Sequence, residues 1–303
     1  MKHLSSDRVH SRWDRNLDPV LTIAEGETVL IETRDTSDNQ IHPGFTMEDV
    51  GHVDTDRIHP LTGPIYVEGA EPGDTLEIAI GDITPADRGF NIVPPGGKNF
   101  GFLPEKPYEA SVRFMDIDTA NGVVKFSDAI QIPLHPFMGV MGVAPPDGLP
   151  LRTLTPGAHG GNLDLQELRT GAKLYLPVFV IGALFSAGDC HAAQGDGEVT
   201  GAAVECAGKA ALTFNLVKRT NETFPRAETP THYISLGFEE DLTAAAQKAT
   251  ERMIAFIARE KNISESAAYS LCSIAADVCI TQVVNGIMGA HVMMPKAIFL
   301  RDG

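Results

Sequence analysis

Three times the chain passes through a glycine turn into an apolar run that ends on an aspartate. The first run is Glu25-Gly26-Glu27-Thr28-Val29-Leu30-Ile31-Glu32-Thr33-Arg34-Asp35 and the second is Pro72-Gly73-Asp74-Thr75-Leu76-Glu77-Ile78-Ala79-Ile80-Gly81-Asp82. The third starts at Thr170-Gly171-Ala172-Lys173-Leu174 and continues to Gly188-Asp189. Alternation lays one face of such a run on a core, and glycine supplies the positive φ of the turn that launches it. Each therefore reads as a strand, and the longest apolar stretch, Val178 to Phe185, reads as a buried one.

Shorter strands are expected at Ile65–Val67, Ser111–Met115, Val123–Phe126, Ala129–Ile132, Gly197–Glu205, Ala211–Val217 and Tyr233–Gly237, between clusters of Pro, Gly, Asn and Asp. Many short strands so punctuated suggest sandwiches or barrels. The breaker-rich stretch from Ile92 to Pro104 reads as a loop and a candidate lid.

After Gly237 the texture changes. Residues Glu239 to Arg259 are rich in helix formers, with Glu239, Glu240 and Asp241 first and Arg259 and Lys261 last, the order a helix dipole favours. Ser264 suits the N-cap of a second helix running to about Ile280, which would place Cys272 and Cys279 on one face as packing residues. A final apolar strand is expected near Val292 to Leu300. The fold class is mainly β with a helical pair near the C-terminus, α+β overall. Residues 1–303 read as one unit, with possible sub-parts 1–150 and 151–303.

The 303 residues carry 24 Lys and Arg against 40 Asp and Glu, a formal charge of −16. A phosphate backbone or an anionic membrane surface would repel that field, so neither nucleic acid nor a membrane is an expected partner. No run approaches a membrane span, and residues 1–7 lack the apolar core of a signal peptide. Four cysteines without a CxxC pair favour a reducing compartment, the cytoplasm.

The densest polar constellation follows the Val178–Phe185 run: Ser186-Ala187-Gly188-Asp189-Cys190-His191-Ala192-Ala193-Gln194-Gly195-Asp196-Gly197-Glu198. Asp189 and His191 are two apart, so on extended backbone both can face one metal ion, and zinc accepts that mixture of carboxylate and imidazole. Glu198 is the nearest further ligand or general base. Glu205 lies seven residues on and would face the other way on a regular strand, so at most one of the two glutamates is expected in the site. Asp196 is a weaker candidate. Cys190 could act as a thiol nucleophile, although neighbours on extended chain point apart and His191 would not activate it.

Two other segments hold candidates. In His159-Gly160-Gly161-Asn162-Leu163-Asp164 the glycines permit close backbone approach, and Asn162 could orient a substrate carbonyl. Asp35 and Gln40 could meet Asp189 if equivalent strands lie side by side. Between these segments runs Asp54 to Asp74, which includes His59.

That Asp54–Asp74 segment resembles a hallmark of the acetamidase/formamidase family. The His159–Asp164 and Gly188–Glu198 stretches resemble two later hallmarks in the same order, and His10-Ser11-Arg12-Trp13-Asp14 and the Asp35 turn also fit. The resemblance spans nearly the whole chain. It implies a mainly β fold with jelly-roll-like, sandwich-like parts, hydrolysis of small linear amides to acid and ammonia, and a bound divalent metal. Two alternatives stay open: a Cys190-dependent amidase, and a non-enzymatic β protein whose loops are pinned by calcium through oxygens alone, with His191 uninvolved. Exposed strand edges and the C-terminal helices make a homo-oligomer an expectation.

Overall fold

The computed structural model describes residues 1–93, 101–106, 108–146, 148 and 150–300. Two large sheets enclose the main core. One has nine strands, in the spatial order Lys2–Leu4, Thr28–Thr33, Gly208–Val217, Thr75–Pro85, Lys173–Pro177, Arg226–Glu228, His232–Glu239, Met288–Pro295 and Asp277–Gln282. All three glycine-launched runs enter this sheet, and Gly208–Val217 lies between the first two. Thr28–Thr33 alternates buried and half-buried along its length, as the sequence pattern requires. Strands from both halves of the chain interleave in the sheet.

The second sheet has eleven strands. Its spine runs from the hairpins Ser111–Asp118, Val123–Ser127 and Ile130–Pro133 through Arg88–Val93, Glu205–Cys206, Phe185–His191 and Phe137–Gly142 to Gly160–Asn162. Leu61–Val67 joins beside Phe185–His191 and carries two short N-terminal strands. Side chains from both sheets fill one core, with Val29, Leu76 and Leu212 from the first facing Ile65, Met138 and Phe185 from the second. The rings of Phe185 and Phe214 meet across the layers at 5.1 Å. Each such fully buried large side chain contributes roughly 1.5–3 kcal/mol.

Several sequence expectations need correction. Val178–Phe185 is not a strand: Lys173–Pro177 ends in one sheet, Phe185–His191 begins in the other, and the apolar stretch between is the crossing. Most of it is buried, although Ile181 is exposed, and Gly182, Ala183 and Leu184 turn it with left-handed backbone (φ 79°, 59° and 58°). Gly197–Glu205 is likewise turns, with only Glu205–Cys206 paired as strand. Residues 94–100 of the expected lid lie outside the described residues, while Ile92 and Val93 end the strand Arg88–Val93.

The first helix, α1 (Leu242–Glu260), is capped by Asp241, whose side chain accepts from the Ala244 N–H at 2.9 Å. Its buried stripe, Ala245, Ala249, Met253 and Ile257, steps by four and packs on His232–Glu239 and Met288–Pro295. The second, α2 (Glu265–Ala275), begins at Ser264 as expected but stops short. Val278, Ile280 and Thr281 are β-branched, and the stretch becomes the edge strand Asp277–Gln282, so Cys279 is on a strand and shares no helical face with Cys272. The last strand is Met288–Pro295, followed by a single 3-10 turn.

Candidate active site

In a regular strand Phe185, Ala187, Asp189 and His191 would share one face. Here Phe185, Ala187 and Cys190 all belong to the core, because left-handed backbone at Asp189 (φ 59°) reverses the alternation. The neighbouring Phe137–Gly142 does the same: Met138 and Met141 both face the core, and Gly139 falls opposite Asp189. This double reversal sends the Asp189 and His191 side chains away from the core and brings them together, with Asp189 Oδ2 3.3 Å from His191 Nε2.

Glu205 arrives from the other flanking strand, where it is the register partner of His191, and its Oε2 lies 3.2 Å from Nε2. Asp164 Oδ1 lies 3.9 Å from the other ring nitrogen. Donor atoms of Asp164, Asp189 and His191, and of His191, Glu198 and Glu205, each fall within 4.8 Å of one another. Both glutamates thus join the cluster, against the sequence expectation. The face-parity argument fails because the chain between them is not extended, and Glu198 itself sits at φ 47°.

Four residues here, His59, Asp164, Asp189 and Glu198, have left-handed backbone without being glycine. Such conformations cost on the order of 1–3 kcal/mol each and persist where the surroundings dictate them, often at functional sites. Gly139 forms the floor. A Cβ there would lie 2.7 Å from Asp164 Oδ1, 2.8 Å from Asp189 Oδ2 and 2.9 Å from His191 Cε1.

The anchoring of each group leaves one atom free. Asn285 Nδ2 donates to Asp164 Oδ2 at 2.5 Å, and the Ala203 N–H donates to Glu205 Oε1 at 2.7 Å. His191 Nδ1 donates to Gln194 Oε1 at 2.9 Å, while Gln194 Nε2 donates to the Asp164 carbonyl at 2.9 Å. Asp164 Oδ1, Asp189 Oδ1, His191 Nε2 and Glu205 Oε2 are buried without a hydrogen-bond partner, since the close approaches to Nε2 lack hydrogen-bond geometry. Buried polar atoms are seldom left so. An imidazole fixed through Nδ1–H and open at Nε2 is the arrangement of a metal-ligating histidine with its supporting partner.

The electrostatics agree. Burial pushes Asp164 and Glu205 up to about 7, and it holds Glu198 well above the usual carboxylate range. Burial would also raise Asp189, but His191 and His59 outweigh it and hold that carboxyl below its ordinary value. For His191, burial opposes the charge, and Glu205 with Asp189 overcomes it, placing the ring well above an ordinary histidine. Four acids around one imidazole thus share too little positive charge, a deficit a divalent cation would offset. Mixed N and O donors fit zinc or a similar ion. His191 belongs to both donor groups, which does not match the oxygen-only cage expected for calcium.

A cavity of about 520 Å³ opens onto Asp189, Glu198 and Glu205, with His59, Asn162 and Asn285 in its wall. Of the other sequence candidates, His159, Gly160 and Gly161 are not among its described lining residues. The two glycines pair with Met141 and Gly142, and His159 is buried against Trp13 at 5.2 Å between ring centroids. Asp196 is exposed and accepts from Gln166 at 2.6 Å. Asp35 organises its own turn, accepting from the Ser37 hydroxyl and N–H, and Gln40 donates to the Ser37 and Asp54 carbonyls. Strands Thr28–Thr33 and Phe185–His191 lie in different sheets, and it is Thr36 and Ser37 of this turn, not Asp35 or Gln40, that line the cavity with Asp189. Cys190 is fully buried in the core, where the Cys206 thiol donates to its carbonyl.

Sequence reasoning missed Asn285 and did not single out Asp164 as a donor. Asp164 carried a signal, standing two residues after Asn162 in the same short segment. Asn285 carried none, because it comes from the far end of the chain between the last two strands. A serine–histidine contact, His10 Nε2 to Ser186 Oγ at 2.9 Å, is part-buried and does not line this cavity.

The family model for the acetamidase/formamidase family matches residues 2–151 and 148–301. An acetamidase of known structure from Bacillus halodurans superposes with a TM-score of 0.92 at 37% identity, covering 98% of each chain. The formamidase of Methylophilus methylotrophus is 29% identical over 264 residues, 70% of this chain and 64% of that protein. The acetamidase of Mycolicibacterium smegmatis is 27% identical over 279 residues, 73% of this chain and 69% of its own length.

Proposed function

Since the chain belongs to the acetamidase/formamidase family, we propose that it hydrolyses the carbon–nitrogen bond of short linear amides of the formamide and acetamide type, giving a carboxylate and ammonia. The observation that carries this reading is the set of unpartnered, buried donor atoms on Asp164, Asp189, His191 and Glu205, of which Asp189 and Glu205 line the cavity.

An amide resists attack because resonance strengthens its C–N bond, so hydrolysis needs an activated water, a polarised carbonyl and a proton for the departing nitrogen. Asp189, His191 and Glu205, with Asp164 beside them, would hold a divalent cation, zinc by donor type, which when bound supplies Lewis acidity toward the carbonyl and makes water a stronger acid. Glu198 is the proton carrier. Its buried carboxyl lines the cavity with Asp189 and Glu205, where it can accept a proton from water and pass it to the leaving nitrogen. Asn162, whose Nδ2 donates to the Leu154 carbonyl while Oδ1 stays free, orients the substrate amide through that oxygen, and His59 and Asn285 close the polar wall.

The thiol route is disfavoured because Cys190 sits in the apolar core and not on the cavity. We read residues 1–303 as one functional unit acting in the cytoplasm as a homo-oligomer. In support, four free cysteines suit a reducing compartment, and Val278 and Ile280 are exposed on the edge strand Asp277–Gln282. Among the described residues no helix is long and apolar enough to cross a membrane.

Ammonia release from formamide, acetamide and propionamide tests the proposal, measured before and after chelation, with zinc added back. Activity should vanish on chelation, return with metal, be absent from Asp189→Ala and persist in Cys190→Ser. Activity that survives complete metal removal and is lost in Cys190→Ser would contradict it.

A further inference from the structure

The cavity is larger than the smallest amides require. Its volume of about 520 Å³ falls within the roughly 300–1,000 Å³ of pockets that enclose a drug-sized ligand. The polar groups gather where Asp189, Glu198 and Glu205 open onto it, and much of the remaining wall is apolar: Ile41, Phe45, Val53, Ile58, Phe90 and Val284.

These side chains are tied to the polar ones. Phe90 is the register partner of Glu205, Ile58 precedes His59, and Val284 precedes Asn285. The loops and strand that place the reacting groups therefore also place a hydrophobic surface beside them. Apart from the buried acids Asp189, Glu198 and Glu205 of the reaction centre, the charged side chains lining the cavity are exposed and engage one another, Arg12 and Arg152 sharing Asp56 at 3.1 and 3.7 Å. Among the described lining residues no buried cationic side chain would call for an anionic substrate group. A formyl or acetyl group would leave most of the apolar wall against water, whereas a longer acyl chain would cover it.

We infer that the preferred substrates are primary amides whose acyl group carries an apolar chain or ring, held against Phe45, Val53, Ile58, Phe90 and Val284. This rests on the hydrolase reading above and names its substrate class.

Steady-state kinetics on acetamide, butanamide, hexanamide and phenylacetamide test it. Each buried methylene is worth about fourfold in kcat/KM, so hexanamide should exceed acetamide by at least about tenfold. Val53→Trp, and Val284→Phe on a separate element, should each lower the hexanamide-to-acetamide ratio. A ratio at or below one in the wild-type protein overturns the inference and leaves the hydrolase reading standing if acetamide is cleaved. If no amide is cleaved, calorimetry with hexanoate and acetate decides: tighter hexanoate binding by tenfold keeps the apolar chamber and removes the hydrolase, and equal binding removes both.

Discussion

At the scale of single residues, the site depends on backbone that the sequence does not advertise. The Asp189–His191 spacing pointed to a shared site, but regular alternation would have sent both side chains to the same face as Phe185 and Ala187, into the core. The left-handed Asp189 resolves this, and an aspartate is a tolerable residue there because its short polar side chain suits such backbone. Gly139 opposite it carried no motif, yet its missing Cβ is the space in which Asp164, Asp189 and His191 meet. Gly139→Ala should keep the fold, weaken metal binding and reduce turnover by roughly 100-fold, the cost of an ångström-scale displacement of reacting groups. Amide hydrolysis and metal content, measured on the purified variant, check this.

At the scale of elements, helices and launched strands were legible because their signals are local. Asp241 and Ser264 begin the two helices, and the Gly26, Gly73 and Gly171 turns open three strands of one sheet. What was not legible is where a run changes partners. Val178–Phe185 is apolar enough for a strand and is instead the crossing between sheets, and Gly197–Glu205 folds into turns that bring both glutamates inward. Burial gives both outcomes the same composition. Helix α1 packs so closely on His232–Glu239 that a Cβ at Gly237 would lie 2.6 Å from the Ala249 nitrogen and closer still to the Ala245 carbonyl oxygen. These are backbone atoms of the helix and cannot rotate away. Gly237→Ala should therefore destabilise the protein by about 1–3 kcal/mol or more, seen as a lower urea midpoint with an unchanged slope.

Across the whole molecule, buried histidines link stability to pH. Burial holds His159 down to about 4 from an ordinary 6.5. Above 6.5 neither the folded nor the unfolded chain is protonated at this position. Between 6.5 and 4 only the unfolded chain binds the proton, so stability falls with pH, and below 4 the loss is complete. The shift corresponds to about 3 kcal/mol. His159→Gln lacks this component, so the stability gap between wild type and variant should narrow by about that amount from pH 7 to 4 in urea titrations; a constant gap would contradict the assignment. The same assembly of distant segments creates the site: Asp164, Asp189, Glu205 and Asn285 come from separate elements, and their convergence is a property of the fold that no local pattern carries.

We propose that the buried Asp164–Asp189–His191–Glu205 cluster holds the cation on which hydrolysis depends. Counting bound divalent metal per chain in the wild-type protein and in Glu205→Gln, with acetamide turnover measured on the same samples, tests it most directly. One ion per chain is expected in the wild type, with metal and turnover falling together in the variant. Full turnover by wild-type protein that contains no metal would contradict it.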